Sequence, residues 1–332
     1  DQATITSLIQ LEYSGFDGAT VPICTFTLAK THVTGFTGSY IRLSDFKGSE
    51  NQAPKTIEAI KNPDCGWFFT AKPDDFKKIP GSPVAYWVSE KVREIFETSP
   101  SMGEVADARQ GLATADNNRF LRLWQEVCIS KVGFDIESLE QAKSSGKKWF
   151  PHNKGGEFRK WYGNNETLVN WEHDGFEIKN FVDENGKQRS RPQNTNIYFK
   201  KAISWSEITS SDISFRFYPI GFIPNNKGMR AYVSDNLDIY KILGWSNSKI
   251  FNILSKNINP TISFGVGDFS NMPFANVNNR ELVLKLISIA LLNWDSYETS
   301  WDFAQNPIIR TQQSNLEQAF NTWQQQNADA VA

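Results

Sequence analysis

Cysteine, histidine and methionine each occur only three times in 332 residues. Cys24, Cys65 and Cys128 are odd in number, widely spaced and never arranged as C-x-x-C. That argues against a disulfide framework and fits a reduced, cytoplasmic protein. His32, His152 and His173 have no metal-ligand spacing to one another or to cysteine, so no metal site is expected. The longest apolar run, "ELVLKLISIALLNW" (Glu281–Trp294), is too short and too charged to span a bilayer. It is expected to form a helix packed in a domain core, and no membrane is expected as a partner. The opening residues do not follow the charged-then-apolar pattern of a secretory leader. The patterns G-x-x-x-x-G-K-[ST], H-E-x-x-H and G-x-S-x-G are missing too, so no catalytic centre is expected in this chain.

What is present is aromatic and unevenly charged. There are 24 Phe and 11 Trp, more than a core alone is expected to use. Lys+Arg number 35 and Asp+Glu 37, a formal charge of −2. That balance conceals an asymmetry. Gln141–Trp205 holds 12 basic against 7 acidic residues and 11 aromatics, whereas Thr261–Ala332 holds 3 basic against 7 acidic.

Within the basic centre, "SSGKKWFPHNKGGEFRKWYGNN" (Ser144–Asn165) interleaves Lys147, Lys148, Lys154, Arg159 and Lys160 with aromatics and glycines. Those cations suit phosphates. Asn153 and, in the loop "GKQRSRPQNTNIYF" (Gly186–Phe199), Arg189, Arg191, Gln193 and Asn194 carry the groups that bond base edges. The residues alone also fit a solvated loop over packed aromatics, or a sugar- or protein-binding surface. Salt separates these readings, because a phosphate site weakens steeply with it.

Along the chain, the first residues read as a helix end running into a strand. "ATVPICTFTLAK" and "GSYIRLSDF" suggest a β-hairpin, with Pro22 placing its strand near an edge or a start. "APKTIEAIKN" reads as a short helix stopped by Asn62-Pro63, "GWFFTA" as a strand, and Pro80–Glu97 as an amphipathic helix with Val88, Val92 and Phe96 on one face. Ser99–Val105 is the best candidate boundary. Shortly after it, "RQGLATADNNRFLRLW" (Arg109–Trp124) opens as a polar turn and alternates from Arg119 onward as a strand would.

Two motifs look catalytic and are read as decoys. "NMPF" (Asn271–Phe274) has one proline too few for the N/D-P-P-Y/F tetrad of amino-methyltransferases, which orients a target amine beside a stacked, flipped base. "FGVGD" (Phe264–Asp268) has only two glycines, and "FSNMPF" after it is not a convincing helix start.

Four blocks together carry a resemblance: "QGLATADNNRFLRLWQEV", "KKWFPHNKGGEFRKWYGNNETLVNWEHDGFEIKNF", "RSRPQNTNIYFKKAISWSEI" and "LGWSNSKIFNILSKNINPTISFGVGDFSNMPF". In order, along most of the chain, they resemble the C-terminal part of the PglX family. These are adenine-specific DNA methyltransferases of BREX phage-defence systems, akin to the fused restriction–modification methyltransferases of the Eco57I type. The resemblance implies an α+β chain in which the C-terminal strands of a Rossmann-like methyltransferase domain precede a mixed α/β target-recognition region. The last block is also similar to segments of type I specificity subunits. It implies residues 1–105 as methyltransferase end and connector, 106–280 as recognition region and 281–332 as a helical segment. The donor-binding turn and the N-P-P-F/Y tetrad would lie before Asp1, in keeping with a chain that begins without Met and reads as cut from a longer protein or as a partial reading frame. S-adenosylmethionine would then belong to the full-length protein, with double-stranded DNA and other BREX proteins as partners. The family pattern "GLxTGDNxRF" matches Gly111, Thr114, Asp116, Asn117 and Phe120, which implies a domain joint that either touches DNA as well or simply braces the two domains; turn-forming residues more often serve the fold, which favours bracing. Ala115 stands where the family has Gly, at a cost of about 1 kcal/mol if that position needs positive φ.

Overall fold

The computed structural model describes residues 2–16, 18, 21, 23–234, 237–259 and 261–331. The chain forms two compact units, 1–99 and 100–332. Residues 100–105, expected with the first region, lie in the second unit, and so does 281–332, expected as a separate segment.

The first unit is built on one sheet. Its strands are β1 (Thr4–Gln10), β2 (Cys24–Ala29), β3 (Gly38–Arg42) and β4 (Phe68–Ala71), in the order β2-β1-β3-β4. The opening residues are therefore a strand, not a helix end, because Thr4, Ile5, Thr6 and Ile9 are β-branched and crowd a helical turn. The expected hairpin also changes partners. β2 pairs antiparallel with β1, and β3 pairs parallel with β1 on its other side. A strand inserted between two candidates cannot be seen from the candidates alone. Pro22 lies outside the described residues. Helix α1 (Ser49–Lys61) ends at Asn62, and α2 (Glu90–Thr98) buries Phe96. Tyr40 stacks on Tyr86 at 4.8 Å in the core between sheet and loop.

Among the described residues the second unit contains two four-stranded sheets and a small pair. Its strands are β5 (Ala106–Arg109), β6 (Leu112–Ala113), β7 (Leu121–Leu123), β8 (Trp149–Asn153), β9 (Thr167–Asn170), β10 (Arg191–Pro192), β11 (Ala202–Ser206), β12 (Phe215–Tyr218), β13 (Ile223–Pro224) and β14 (Gly228–Val233). One sheet runs β12-β11-β14-β5, entirely antiparallel. The other runs β13-β8-β9-β7, and β10 pairs with β6. Aromatics fill both cores. Phe120, Phe150, Trp171, Tyr198 and Phe199 are buried in one, while Trp205 stacks on Phe269 at 4.6 Å in the other.

The two decoys are absorbed by this packing. Val266–Asn271 is a helix after all, started by the Asp268 carboxylate, which accepts from the Gly265 N–H at 2.7 Å. Sequence reasoning missed it because the start uses a carboxylate three residues inside the helix rather than a capping side chain. "NMPF" lies against the beginning of the unit, where the Met102 N–H donates to the Met272 carbonyl at 2.7 Å. The Trp245 indole N–H donates to the Pro273 carbonyl, also at 2.7 Å. Arg280–Trp294 is a helix as expected, but it is not packed in a core. Only Val283 and Trp294 are buried, and Leu282 and Leu292 are exposed. Its apolar residues go all round, so periodicity does not say which face is covered.

Candidate nucleic-acid interface

The stretch around Gly111 is built tightly. A Cβ on Gly111 would run into the backbone carbonyl of Pro224, so nothing larger fits. Thr114 is buried, and its hydroxyl donates to the Asn117 side chain at 2.6 Å. Ala115 has φ +60°, the left-handed backbone that costs a non-glycine residue about 1 kcal/mol. Asp116 accepts from the Arg119 N–H at 3.0 Å and starts a helical turn at Asn117–Phe120. The strand expected from Arg119 thus begins only at Leu121. Capping by Asp116 outcompetes the alternating pattern for the first residues. Phe120 is fully buried and meets Phe181 edge-on at 5.2 Å.

This turn lies beside both basic clusters. β6 pairs with β10, which brings Arg191 and Pro192 against it. Asn194 has φ +50°, and its amide donates to the Gln110 carbonyl at 3.0 Å while its oxygen takes a bond from Arg109. The Arg189 guanidinium lies over the Phe181 ring at 4.9 Å, and the residue is exposed. Arg191 is exposed and Gln193 half-buried. Of the second cluster, the arginines face solvent and Asn194 is committed to the fold.

The first cluster is divided differently. The Lys147 ammonium donates to the Ser130 carbonyl at 2.6 Å, and Lys148 pairs with Glu172 at 3.1 Å. The Lys160 ammonium donates to the Asn247 carbonyl at 2.8 Å, and burial lowers its pKa. Arg159 donates to the Asn293 side chain at 3.0 Å and lies over the Trp294 ring at 5.0 Å. Burial lowers its pKa as well, the nearby Tyr297 opposing and Arg216 adding to the shift. Asn153 is fully buried at the end of β8, where its oxygen accepts from the Ser204 hydroxyl at 2.9 Å. Two of the expected base readers, Asn153 and Asn194, are therefore structural in this conformation. Only the fold could show this, since both are hydrogen-bonded to residues more than 50 positions away. Lys154 alone in this cluster is exposed, the other four cations being half-buried.

Lys154 opens a groove of about 530 Å³, lined by the loop Lys154–Arg159 with Asn164, Glu166 and Trp294 among others. It continues into a second hollow of about 470 Å³ lined by Asn117, Asn118 and Arg122 together with Lys154. The structure thus brings the turn motif and the exposed lysine of the first cluster to one surface. Asn118 was missed as a surface group, although its place in the quoted motif was a usable signal; Arg122 beside it is half-buried and its guanidinium donates to the Asn118 and Leu121 carbonyls at 2.6 Å. Phe158 is exposed on the same loop. On β8, His152 is fully buried and its pKa is pushed down to about 3, chiefly by burial. Its Nδ1–H donates to the Ile223 carbonyl at 3.0 Å and its Nε2 accepts from Asn225 at 3.1 Å. Asn225 also donates its backbone N–H to the Asn153 carbonyl, tying β8 to the turn.

Two curated relatives match this arrangement over nearly the whole chain. One is the adenine-specific methyltransferase PglX of Lacticaseibacillus casei (strain Zhang), 34% identical over 322 residues, 94% of this chain and 27% of that protein. The other is the adenine-specific methyltransferase BrxX of Escherichia coli O9:H4 (strain HS), 32% identical over 316 residues, 93% of this chain and 24% of that protein. The chain is homologous to a part of the PglX and BrxX proteins. It spans about a quarter of the length of these relatives. No family model matches the chain. Among solved structures, the type IIG restriction endonuclease BpuSI aligns with a TM-score of 0.38 at 8% identity, over 87% of this chain and 38% of that one. The type IIL restriction-modification enzyme MmeI in complex with DNA aligns at 0.41 and 12%, over 97% and 42%. Among the described residues no helix is long and apolar enough to cross a membrane, and no His/Cys/Asp/Glu group could hold a metal ion.

Proposed function

We propose that this chain is the DNA-sequence-recognition half of an S-adenosylmethionine-dependent adenine-N6 DNA methyltransferase used in BREX-type phage defence. On this reading the first unit supplies the last strands of a Rossmann-like methyltransferase domain, which the parallel pairing of β1 with β3 supports. Donor binding and the N-P-P-F/Y tetrad belong to the rest of the protein, so the chain alone is inactive. The observation that carries the reading is the surface shared by the turn motif and Lys154, with Arg189 and Arg191 exposed on the cluster paired to the same turn. Lys154, Arg189 and Arg191 are its phosphate contacts, and Gln193, Asn117 and Asn118 its base-side groups. Binding to mixed-sequence duplex DNA across a salt series, read by fluorescence anisotropy, tests it. A steep loss of affinity with salt and enrichment of one sequence pool are expected. Absence of binding at low salt counts against autonomous recognition.

A second reading has its own observation. Leu282 and Leu292 on the helix Arg280–Trp294, with Ile250 and Ile253 elsewhere, are exposed apolar side chains that suit a protein-interaction module of a defence complex. Such binding would be insensitive to salt.

A further inference from the structure

Arg216, on β12, is fully buried, yet no carboxylate pairs with it among the described residues. A buried guanidinium without a counter-charge is costly, and its surroundings must repay it with hydrogen bonds. They do so in one direction. Its Nη1 donates to the Arg159 carbonyl at 3.1 Å, and its Nη2 donates to the Ser206 hydroxyl at 3.2 Å. That hydroxyl in turn donates to the Gly156 carbonyl at 2.7 Å. Both ends of the Gly156–Arg159 loop are thus held from below by one cation, directly and through one relay. Its Nε has no partner.

The loop needs such a hold. Gly155 and Gly156 have φ of +96° and +124°, and Phe158 at its tip is exposed. The groove above is not cationic by its lining alone. Lys154 and Arg159 are offset there by Glu157 and Glu166.

We infer that Arg216 is a positioning residue for this groove: it fixes the Lys154–Arg159 loop in shape and supplies the excess positive charge that lets the groove take a DNA backbone phosphate. The inference rests on the DNA-recognition reading for its ligand but not for its loop geometry. Burial is the chief cause of the lowered Arg159 pKa, and Arg216 adds to it.

The test uses the full chain with three variants, R216Q, R216K and S206A, each checked for folding by circular dichroism. Two readouts are taken: amide hydrogen exchange at residues 154–159, and duplex DNA affinity across a salt series. In R216Q, loop exchange should accelerate about tenfold and low-salt affinity fall about tenfold with a shallower salt slope. R216K keeps the charge but lacks the fork, so it should restore the slope while leaving the loop loose. A change of stability alone would not separate the two readouts in this way. Unchanged exchange and affinity in R216Q overturn the inference. Should R216Q fail to fold, S206A decides: faster exchange around Gly156 supports it and native exchange overturns it. A parent chain that binds no duplex sinks the DNA reading and the phosphate assignment with it, while loop exchange still decides the positioning role.

Discussion

The two basic clusters, Lys147–Lys160 and Arg189–Asn194, carry similar chemistry in sequence and use it in opposite ways. In the first, four of five cations are engaged by the fold, through Ser130, Glu172, Asn293 and Asn247, and only Lys154 stands clear. In the second, both arginines reach solvent and it is the neutral Asn194 that is engaged. Density of charge along a sequence therefore measures what a surface could offer, not what it does offer. A lysine or arginine beside a long loop is often the nearest donor for a carbonyl the loop leaves unpaired.

The comparison can be broken most forcefully where the second cluster is anchored. Phe120→Ala empties a fully buried site against Phe181, the ring under Arg189, and should cost the second unit about 3–5 kcal/mol in urea unfolding. Acid comes next and acts on the strand that leads into the first cluster. His152 is buried neutral with its pKa depressed to about 3, whereas in the unfolded chain it titrates near 6.5. The unfolded state thus takes up the proton first. The stabilisation is full above pH 6.5 and is lost as pH falls toward 3. Thermal melts should show this decline, and His152→Gln should flatten it.

Smaller effects sharpen the contrast. Arg159→Ala removes a charged hydrogen bond and a ring contact and should destabilise by about 1–2 kcal/mol. Ala115→Gly relieves the left-handed backbone at the turn and should stabilise by about 1 kcal/mol, read as a shift in urea midpoint. Smallest for stability, Lys154→Ala and Arg191→Ala should stay within about 0.5 kcal/mol of the parent. Each should nonetheless lower the salt slope of duplex binding by about one. If Lys147→Ala changes that slope as much as Lys154→Ala does, the division of the first cluster is wrong.

Local signals in the sequence were enough for elements that depend on near neighbours. The helix ending at Asn62 and the strand Phe68–Ala71 were legible, and so was the helix carrying Val92 and Phe96, although it begins only at Glu90 and leaves Val88 and the rest of Pro80–Ser89 outside it. Each follows from a proline, a run of β-branched or aromatic residues, or a turn residue within a few positions. The resemblance to PglX proteins was equally legible, because long blocks of specific residues carry it.

What the tertiary structure alone decided is which groups remain available. Nothing near Asn153 announces Ser204 as its partner, and nothing near Asn194 announces Gln110. The pairing of β1 with both β2 and β3, the exposure of the leucines on Arg280–Trp294 and the burial of Arg216 are of the same kind. A side chain's burial and bonding are set by residues far off in sequence. The sequence therefore determined the inventory of phosphate- and base-binding groups, and long-range packing chose which of them face outward.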